Sequence, residues 1–182
     1  MDKIIQADLF RIGGLSGFRG FIKGIRYPGF RYMYLLRNAS NYKGCQPKRM
    51  FFEFLKKRYS FKYGFQIPSS TKIGKGFFIG HFGTIVINCE VRIGNNCNIA
   101  HGVTIGQANR GKLKGSPTIG DKVWIGTNSV IVGRITIGNN ILIAPNSFVN
   151  FDIPSNSLVI GNPAKVIAKD NPTEGYINFI FD

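Results

Sequence analysis

The sequence predicts a mainly β protein, a parallel β-helix with a short helical N-terminal segment. The first observation is a fixed period: an isoleucine returns every six residues at Ile67, Ile73 and Ile79, then after a two-residue slip at Ile87, Ile93, Ile99 and Ile105. The second is that the same register resumes after an interruption, at Ile119, Ile125, Ile131, Ile137, Ile143 and Val149. The third is the residue after each aliphatic, usually Gly, Ala or Asn, which lets the chain bend. A short fixed period means a solenoid, in which each repeat buries its face only against its neighbours. Six residues suit one short strand and one turn, and three hexapeptides close a triangular coil. An amphipathic helix repeats at about 3.6 and cannot hold this register. A β-sandwich would space its turn signals more widely and less evenly.

Taken in order, residues 1–66 form a basic, aromatic-rich helical segment, 67–168 the repeat region with an extruded loop at 107–117, and 169–182 a C-terminal tail. The best helical stretches of the first part are Phe30–Ala39 and Met50–Tyr59, each preceded by a break, Pro28-Gly29 and Gln46-Pro47. The net charge of +15 is uneven: through Gln66, fourteen lysines and arginines stand against Asp2, Asp8 and Glu53. The aromatics of this segment are expected to cap the open end of the β-helix, whose terminal strands need cover. Capping leaves the charge unexplained, and basic amphipathic helices also suit anionic membrane surfaces or polyanions. No nucleic-acid recognition motif accompanies the charge, so nucleic acid is not an expected partner.

The three cysteines, Cys45, Cys89 and Cys97, are odd in number and lack paired-ligand spacing, which argues against a disulfide framework and against a zinc site. Cys97 falls at a small, inward-facing position of the repeat. No signal-peptide pattern opens the sequence and no apolar run is long enough to span a bilayer, so a cytoplasmic protein is expected.

Both histidines share one phase of the repeat. His81 is two after Ile79 and His101 two after Ile99, a separation of one coil plus the slip. One coil returns the chain to the same face about 4.8 Å higher, so the two imidazoles should be neighbours on the outside of the prism. A lone surface histidine is usually inert; two in phase are a candidate site. The loop Gln107–Pro117 departs close to His101 and is cationic and glycine-rich. Such loops often carry binding residues, although a tolerated insertion would look the same. No paired carboxylates, Ser/His/Asp set or phosphate-binding glycine motif accompanies the histidines. An imidazole suits general-base removal of a proton from a hydroxyl or amine.

The repeats, Gly80-His81-Phe82-Gly83-Thr84-Ile85-Val86-Ile87, Val103-Thr104-Ile105-Gly106 and the closing Asp152-Ile153-Pro154 and Gly161-Asn162-Pro163-Ala164-Lys165 resemble the hexapeptide-repeat acyltransferases, nearest their serine acetyltransferase branch. The resemblance covers about residues 64–168. It implies a left-handed β-helix, a homotrimer, and acetyl-CoA held between neighbouring subunits, with no metal. It implies that His81 deprotonates the acceptor hydroxyl, with His101 sharing that role or holding the acceptor. It implies Gly126, Thr127 and Ala144 as backbone contacts to the pantetheine arm, and Lys165 as a phosphate neighbour. The match departs from the family at the acceptor: the aspartate before the catalytic histidine is Gly80, the imidazole-orienting aspartate falls at Gln66, and the loop-exit Arg-His-Pro becomes Gly115-Ser116-Pro117. The family's N-terminal helical domain corresponds here to the shorter basic segment.

The resulting expectation is an acetyl-CoA-dependent O-acetyltransferase acting on a hydroxyl of a sugar or surface polysaccharide unit, with Gln66, Gly80 and Ser116 lining the acceptor site. The alternatives are an L-serine O-acetyltransferase with substitute recognition groups, and a non-catalytic β-helix whose basic end docks on a membrane or polyanion.

Overall fold

The computed structural model describes residues 2–42 and 46–181; Lys43 and Cys45, which entered the charge and cysteine readings, lie outside the described residues. Each period of six becomes one strand and one turn. The first coil runs through β1 (Phe65–Gln66), β2 (Lys72–Ile73) and β3 (Phe78–Ile79), and the second through β4 (Ile85–Ile87), β5 (Arg92–Ile93) and β6 (Asn98–Ile99). The third comprises β7 (Thr104–Gly106), β8 (Thr118–Ile119) and β9 (Val123–Ile125), and the fourth β10 (Val130–Val132), β11 (Thr136–Ile137) and β12 (Ile141–Ile143). The fifth closes with β13 (Phe148–Val149), a bridge at Ile153 and β14 (Ser157–Ile160), after which β15 (Lys165–Ala168) turns back.

Stacked, these strands make three walls: β1-β4-β7-β10-β13, β2-β5-β8-β11, and β3-β6-β9-β12-β14-β15. Pairing is parallel except between β14 and β15. Register is kept by the periodic aliphatics. Ile79 pairs with Ile99, Ile99 with Ile125, Ile125 with Ile143 and Ile143 with Val159. Ile85, Ile105, Ile131, Ile143 and Val149 are fully buried, and burying each such side chain contributes about 1.5–3 kcal/mol. At the edge between the second and third walls the turns are tied by a polar ladder. The Asn95 N–H donates to Asp121 Oδ1 (2.7 Å), the Asp121 N–H to Asn139 Oδ1 (2.8 Å) and the Asn139 N–H to Ser155 Oγ (2.9 Å).

Among the described residues four helices precede the coils: α1 (Lys3–Phe10), α2 (Gly17–Gly24), α3 (Pro28–Asn41) and α4 (Pro47–Tyr63). The two expected stretches lie inside α3 and α4, each opened by a proline in its first turn, where a missing N–H costs nothing. Helix α3 drives Tyr32, Met33 and Leu36 into the same core as Phe65, Ile67 and Ile85. Tyr32 of α3 and Tyr63 of α4 thus cap the coils as expected, whereas Phe18, Phe51, Phe54 and Phe61 of the same segment stay exposed.

The basic charge is partly structural too, contrary to expectation. Arg37 is buried, pairs with Asp8 at 2.9 Å, and donates to Ile73 O (2.5 Å) and Gly74 O (2.6 Å). Arg11 donates to Gly76 O (3.0 Å) and Asn98 Oδ1 (2.7 Å). The carbonyls of the lowest coil, which have no coil beneath them, are thus satisfied by guanidinium groups from the cap.

The tail runs back along the outside of the coils. Thr173 Oγ1 donates to Asn140 Oδ1 (2.6 Å), Tyr176 lies against Trp124 (ring centroids 4.9 Å apart), and Tyr176 O accepts from Asn98 Nδ2 (2.9 Å). It reaches the cap at Asn178, whose carbonyl accepts from Arg11 Nε (2.9 Å), and at Phe181, whose ring meets Phe10. No helix of the described residues is long and apolar enough to cross a membrane.

Candidate active site

The two histidines occupy successive steps of the edge where the third wall turns into the first. His81 follows β3 and His101 follows β6, and pairing of Ile79 with Ile99 stacks their turns. The imidazole centroids are 6.0 Å apart with the rings perpendicular, and both side chains are exposed in the single chain. The expected juxtaposition is present. Two extra residues in the lower turn, Gly80–Thr84 against the shorter turn after Ile99, make room for it. Gly83 adopts φ 138°, and a Cβ there would stand 3.0 Å from His101 Cβ.

The same edge continues above and below the pair. The Gly102 N–H donates to Thr84 O (2.6 Å), the Asn128 N–H to His101 O (3.1 Å) and the Asn146 N–H to Thr127 O (2.8 Å). Gly126–Thr127 and Ala144 are therefore the next two steps of one column. Below, the edge rests on the end of α4: the Gly83 N–H donates to Tyr63 O (2.9 Å) and the Ile85 N–H to Gly64 O (3.0 Å). Gly64 ends that helix at φ 77°, a conformation open to glycine at no steric cost. These backbone supports, from Gly64, Gly102 and Asn128, were not singled out in the sequence. The available signal was the asparagine after the small residue, since Asn tolerates the left-handed conformation adopted at Asn128 and Asn146 (φ 59° at each).

The backbone groups expected to contact the pantetheine arm differ in what they still have to offer. The N–H of Gly126 donates to Ile143 O and that of Ala144 to Val159 O, both at 2.8 Å, so the ladder already uses them. Ala144 O also accepts from Ser129 Oγ (3.0 Å) and Ser147 Oγ (2.7 Å). Among the described hydrogen bonds the Thr127 N–H donates to nothing within the chain. Lys165 is exposed on β15, paired with Ile160 beyond the last coil.

The three acceptor candidates are not gathered into one cluster. Gly80 is beside His81. Gln66 lies on β1 against Val86, and with Tyr32, Phe54, Lys57 and Phe61 it lines a groove of about 890 Å³ between α4 and the first wall. Ser116 is on the next edge, its Oγ 3.3 Å from Asn88 Oδ1. The loop that carries Ser116 leaves after β7 and folds against the coil above, where Arg134 N–H donates to Leu113 O (2.8 Å). Within its own chain the loop is thus one wall away from His101, not beside it. No carboxylate is hydrogen-bonded to either imidazole among the described residues, and no group of three or more His, Cys, Asp or Glu among them could hold a metal ion. Cys97 faces inward as expected; burial pushes its thiol up to about 12, and its Sγ lies 3.2 Å from Gly120 O.

Residues 116–150 match the family model described as bacterial transferase hexapeptide (six repeats). A serine acetyltransferase of Helicobacter pylori (strain ATCC 700392 / 26695) is 34% identical over 146 residues, 79% of this chain and 84% of the relative. The crystal structure of Neisseria gonorrhoeae serine acetyltransferase in complex with serine superposes with a TM-score of 0.73 and 32% identity, covering 91% of this chain and 68% of that one. The serine acetyltransferase of Brucella abortus strain S19 gives 0.75 and 27% identity over 92% of this chain and 68% of its own. With a third of its residues shared over most of both chains, and the same coils in the same order, the chain is an acyltransferase that belongs to the serine acetyltransferase family of the hexapeptide-repeat enzymes.

Proposed function

We propose that this chain transfers the acetyl group of acetyl-CoA to an acceptor hydroxyl, with His81 as the general base. The observation that carries the reading is the single edge on which His81, His101, Thr127 and Ala144 rise in successive coils. The acceptor O–H gives its proton to the His81 imidazole as the oxygen attacks the thioester carbonyl. Collapse of the tetrahedral intermediate breaks the C–S bond, and the imidazolium returns the proton to the departing CoA sulfur. His101, at 6.0 Å, orients the acceptor or shares the proton. Transfer is read as direct: Cys97 is buried and protonated, and exposed Cys89 follows Asn88 on the edge with Ser116, away from the histidines. The free Thr127 N–H is the donor for a pantetheine amide, Gly126 and Ala144 supply a flat floor to the arm, and Lys165 neighbours the phosphates. The exposed edge of one chain leaves the other wall of such a groove to a neighbour, which supports a homotrimer with its sites between subunits.

The relatives support L-serine as the acceptor better than the surface polysaccharide unit expected from the sequence. A sugar hydroxyl is retained as a second reading on one observation: Gln66, Gly80 and Ser116 carry no charge to meet an ammonium or carboxylate. Each charged hydrogen bond lost is worth about 1.5–3 kcal/mol, more than the roughly 1.4 kcal/mol that makes a tenfold difference. The test measures kcat/KM for L-serine against nucleotide sugars and oligosaccharides at one acetyl-CoA concentration, with His81→Ala alongside. His81→Ala should lower kcat about 10²–10⁴-fold with acetyl-CoA affinity unchanged; more than about a tenth of wild-type kcat, with chemistry rate-limiting, removes His81 as the base. Serine turnover near 10⁴ M⁻¹s⁻¹ or above, on the approximate scale of ordinary enzymes, decides for serine. At least about tenfold better use of a sugar decides for the second reading. Gly80→Asp is a clean companion variant, because a Cβ at Gly80 meets only the Phe78 ring, at 3.3 Å.

A further inference from the structure

Helix α4 is embedded on one side only. Lys56 and Tyr63 are buried inward, while Phe54 and Phe61, seven residues apart and so on one face, are 68% and 81% exposed, with Phe51 beside them at 57%. Lys48, Lys57, Arg58 and Lys62 are exposed around these rings. The only acid of the helix, Glu53, is half-buried and paired with Lys56 at 3.0 Å. Helix α2 repeats the pattern without any acid: Phe18 and Ile22 are exposed between Arg19 and Lys23. Both helices belong to one cap, since Tyr34 of α3 touches Phe21 of α2 (5.2 Å) and Phe52 of α4 (6.3 Å). An open cleft of about 690 Å³, lined by Leu9, Phe10, Phe18, Phe21 and Tyr34, lies at the foot of α2.

The structural uses of charge in the cap, at Arg11 and Arg37, do not extend to this face. Large exposed apolar rings are costly and mark an interaction surface. Rings bracketed by cations match one chemistry, an acyl boundary beneath anionic headgroups. We propose that α2 and α4 dock the protein on the surface of a bilayer containing anionic lipid, with Phe18, Phe51, Phe54 and Phe61 in the acyl boundary and the lysines and arginines at the phosphates. This goes beyond the acetyl-transfer reading and does not rest on it. A face-to-face pair of copies is a poor occupant: it would bring cation against cation, with Glu53, already paired with Lys56, as the one acid on either helix; the unlike-face contact of a trimer is an outcome of the test below. A duplex would satisfy the charge but leave the projecting rings in water, and a single strand, whose bases could stack on them, is an outcome of the test.

The test is flotation of the full chain with vesicles of phosphatidylcholine alone or mixed with phosphatidylglycerol, with the mass in solution followed by light scattering. The protein should float with the mixed vesicles and bind the neutral ones at least about tenfold more weakly. Phe54→Glu/Phe61→Glu, and separately Phe18→Glu, should each weaken binding to the mixed vesicles by about tenfold or more, with circular dichroism unchanged. Equal or absent binding to both vesicle types overturns the proposal. So does a phenylalanine variant that binds vesicles normally but falls in mass, which makes the face a contact between copies. Tight binding of a single-stranded oligonucleotide without vesicle binding overturns it as well.

Discussion

Replacing Arg37 by methionine tests how the helical cap is fastened to the coils. Its guanidinium holds Asp8 at 2.9 and 3.3 Å and also donates to Ile73 O and Gly74 O at 2.5 and 2.6 Å. Methionine fills similar volume and donates nothing. The variant keeps a carboxylate whose side chain is 1% exposed, with the Phe77 N–H at 2.9 Å as its remaining close donor, and strands two carbonyls of the lowest coil. Removing one partner of a buried pair costs about 3–5 kcal/mol, a large share of the roughly 5–15 kcal/mol that holds a domain together. The deficit should depend on pH. Burial pushes the Asp8 carboxyl up, and Arg37 opposes that shift; without Arg37 the folded-state value stands well above the unfolded one. Stability tied to the protonated acid is then present at low pH and lost as pH rises through the folded-state value. The assay is urea unfolding at one protein concentration, since assembly shifts apparent stability. The gap between wild type and Arg37→Met should narrow as pH is lowered towards the range where the buried Asp8 carboxyl takes up its proton. Adding Asp8→Asn should recover about 1 kcal/mol or more of the loss. A cost below about 1 kcal/mol, independent of pH and unrelieved by Asp8→Asn, would refute the reasoning.

Two further outcomes follow from single positions. Gly102 has φ 75°, and a Cβ there would lie 1.9 Å from Asn128 Oδ1, whereas Gly111 has φ 77° with nothing within 4 Å. In thermal melts Gly102→Ala should lose about 1 kcal/mol from backbone strain and at least as much again from displaced Asn128, while Gly111→Ala loses only the first part; equal losses would deny the contact. Cys97, its thiol pushed up to about 12 by burial, should resist iodoacetamide in the folded protein at about pH 8 while exposed Cys89 reacts. Peptide mass mapping checks this, and labelling of Cys97 at the rate of Cys89 would contradict it.

The coils were legible because a solenoid writes its geometry in its spacing. Ile79, Ile99, Ile125 and Ile143 pair across coils of unequal length, since extra residues leave at the edges and do not disturb the ladder. That is why both the slip beside His81 and the loop at 107–117 could be seen as departures from a count. The same count located the histidine pair. It did not show the shortening at the top, where Ile137 meets Ile153 in a single bridge, because the step from Val149 to Ile153 is four residues and breaks the count before Val159 takes it up again. Helices α1 and α2 belong to the expected helical segment, but their bounds were not legible since each is eight residues long, too short to hold without packing; Leu9 and Phe30 supply it across the chain. The structural use of Arg11 and Arg37 was illegible for a related reason: their acceptors are carbonyls, which every residue has, so nothing in the side-chain pattern announces them. Ser116 came from the family's loop-exit position, and within the chain it stands on the edge after β4, one wall away from the histidines, because a triangular prism puts consecutive turns on different edges.

A stack whose repeats touch only their neighbours would ordinarily fray from whichever end is weaker. Here the tail carries the last coil back to the first: Thr173 holds the fourth coil, Tyr176 the second and third, and Asn178 and Phe181 the cap. The two ends of the column are thereby made one, as a cord tied from lid to base closes a pile of trays. Loosening the top coil withdraws a partner from Arg11 at the bottom, so the ends cannot come apart independently, and the middle steps, where the histidines sit, are held from both directions at once.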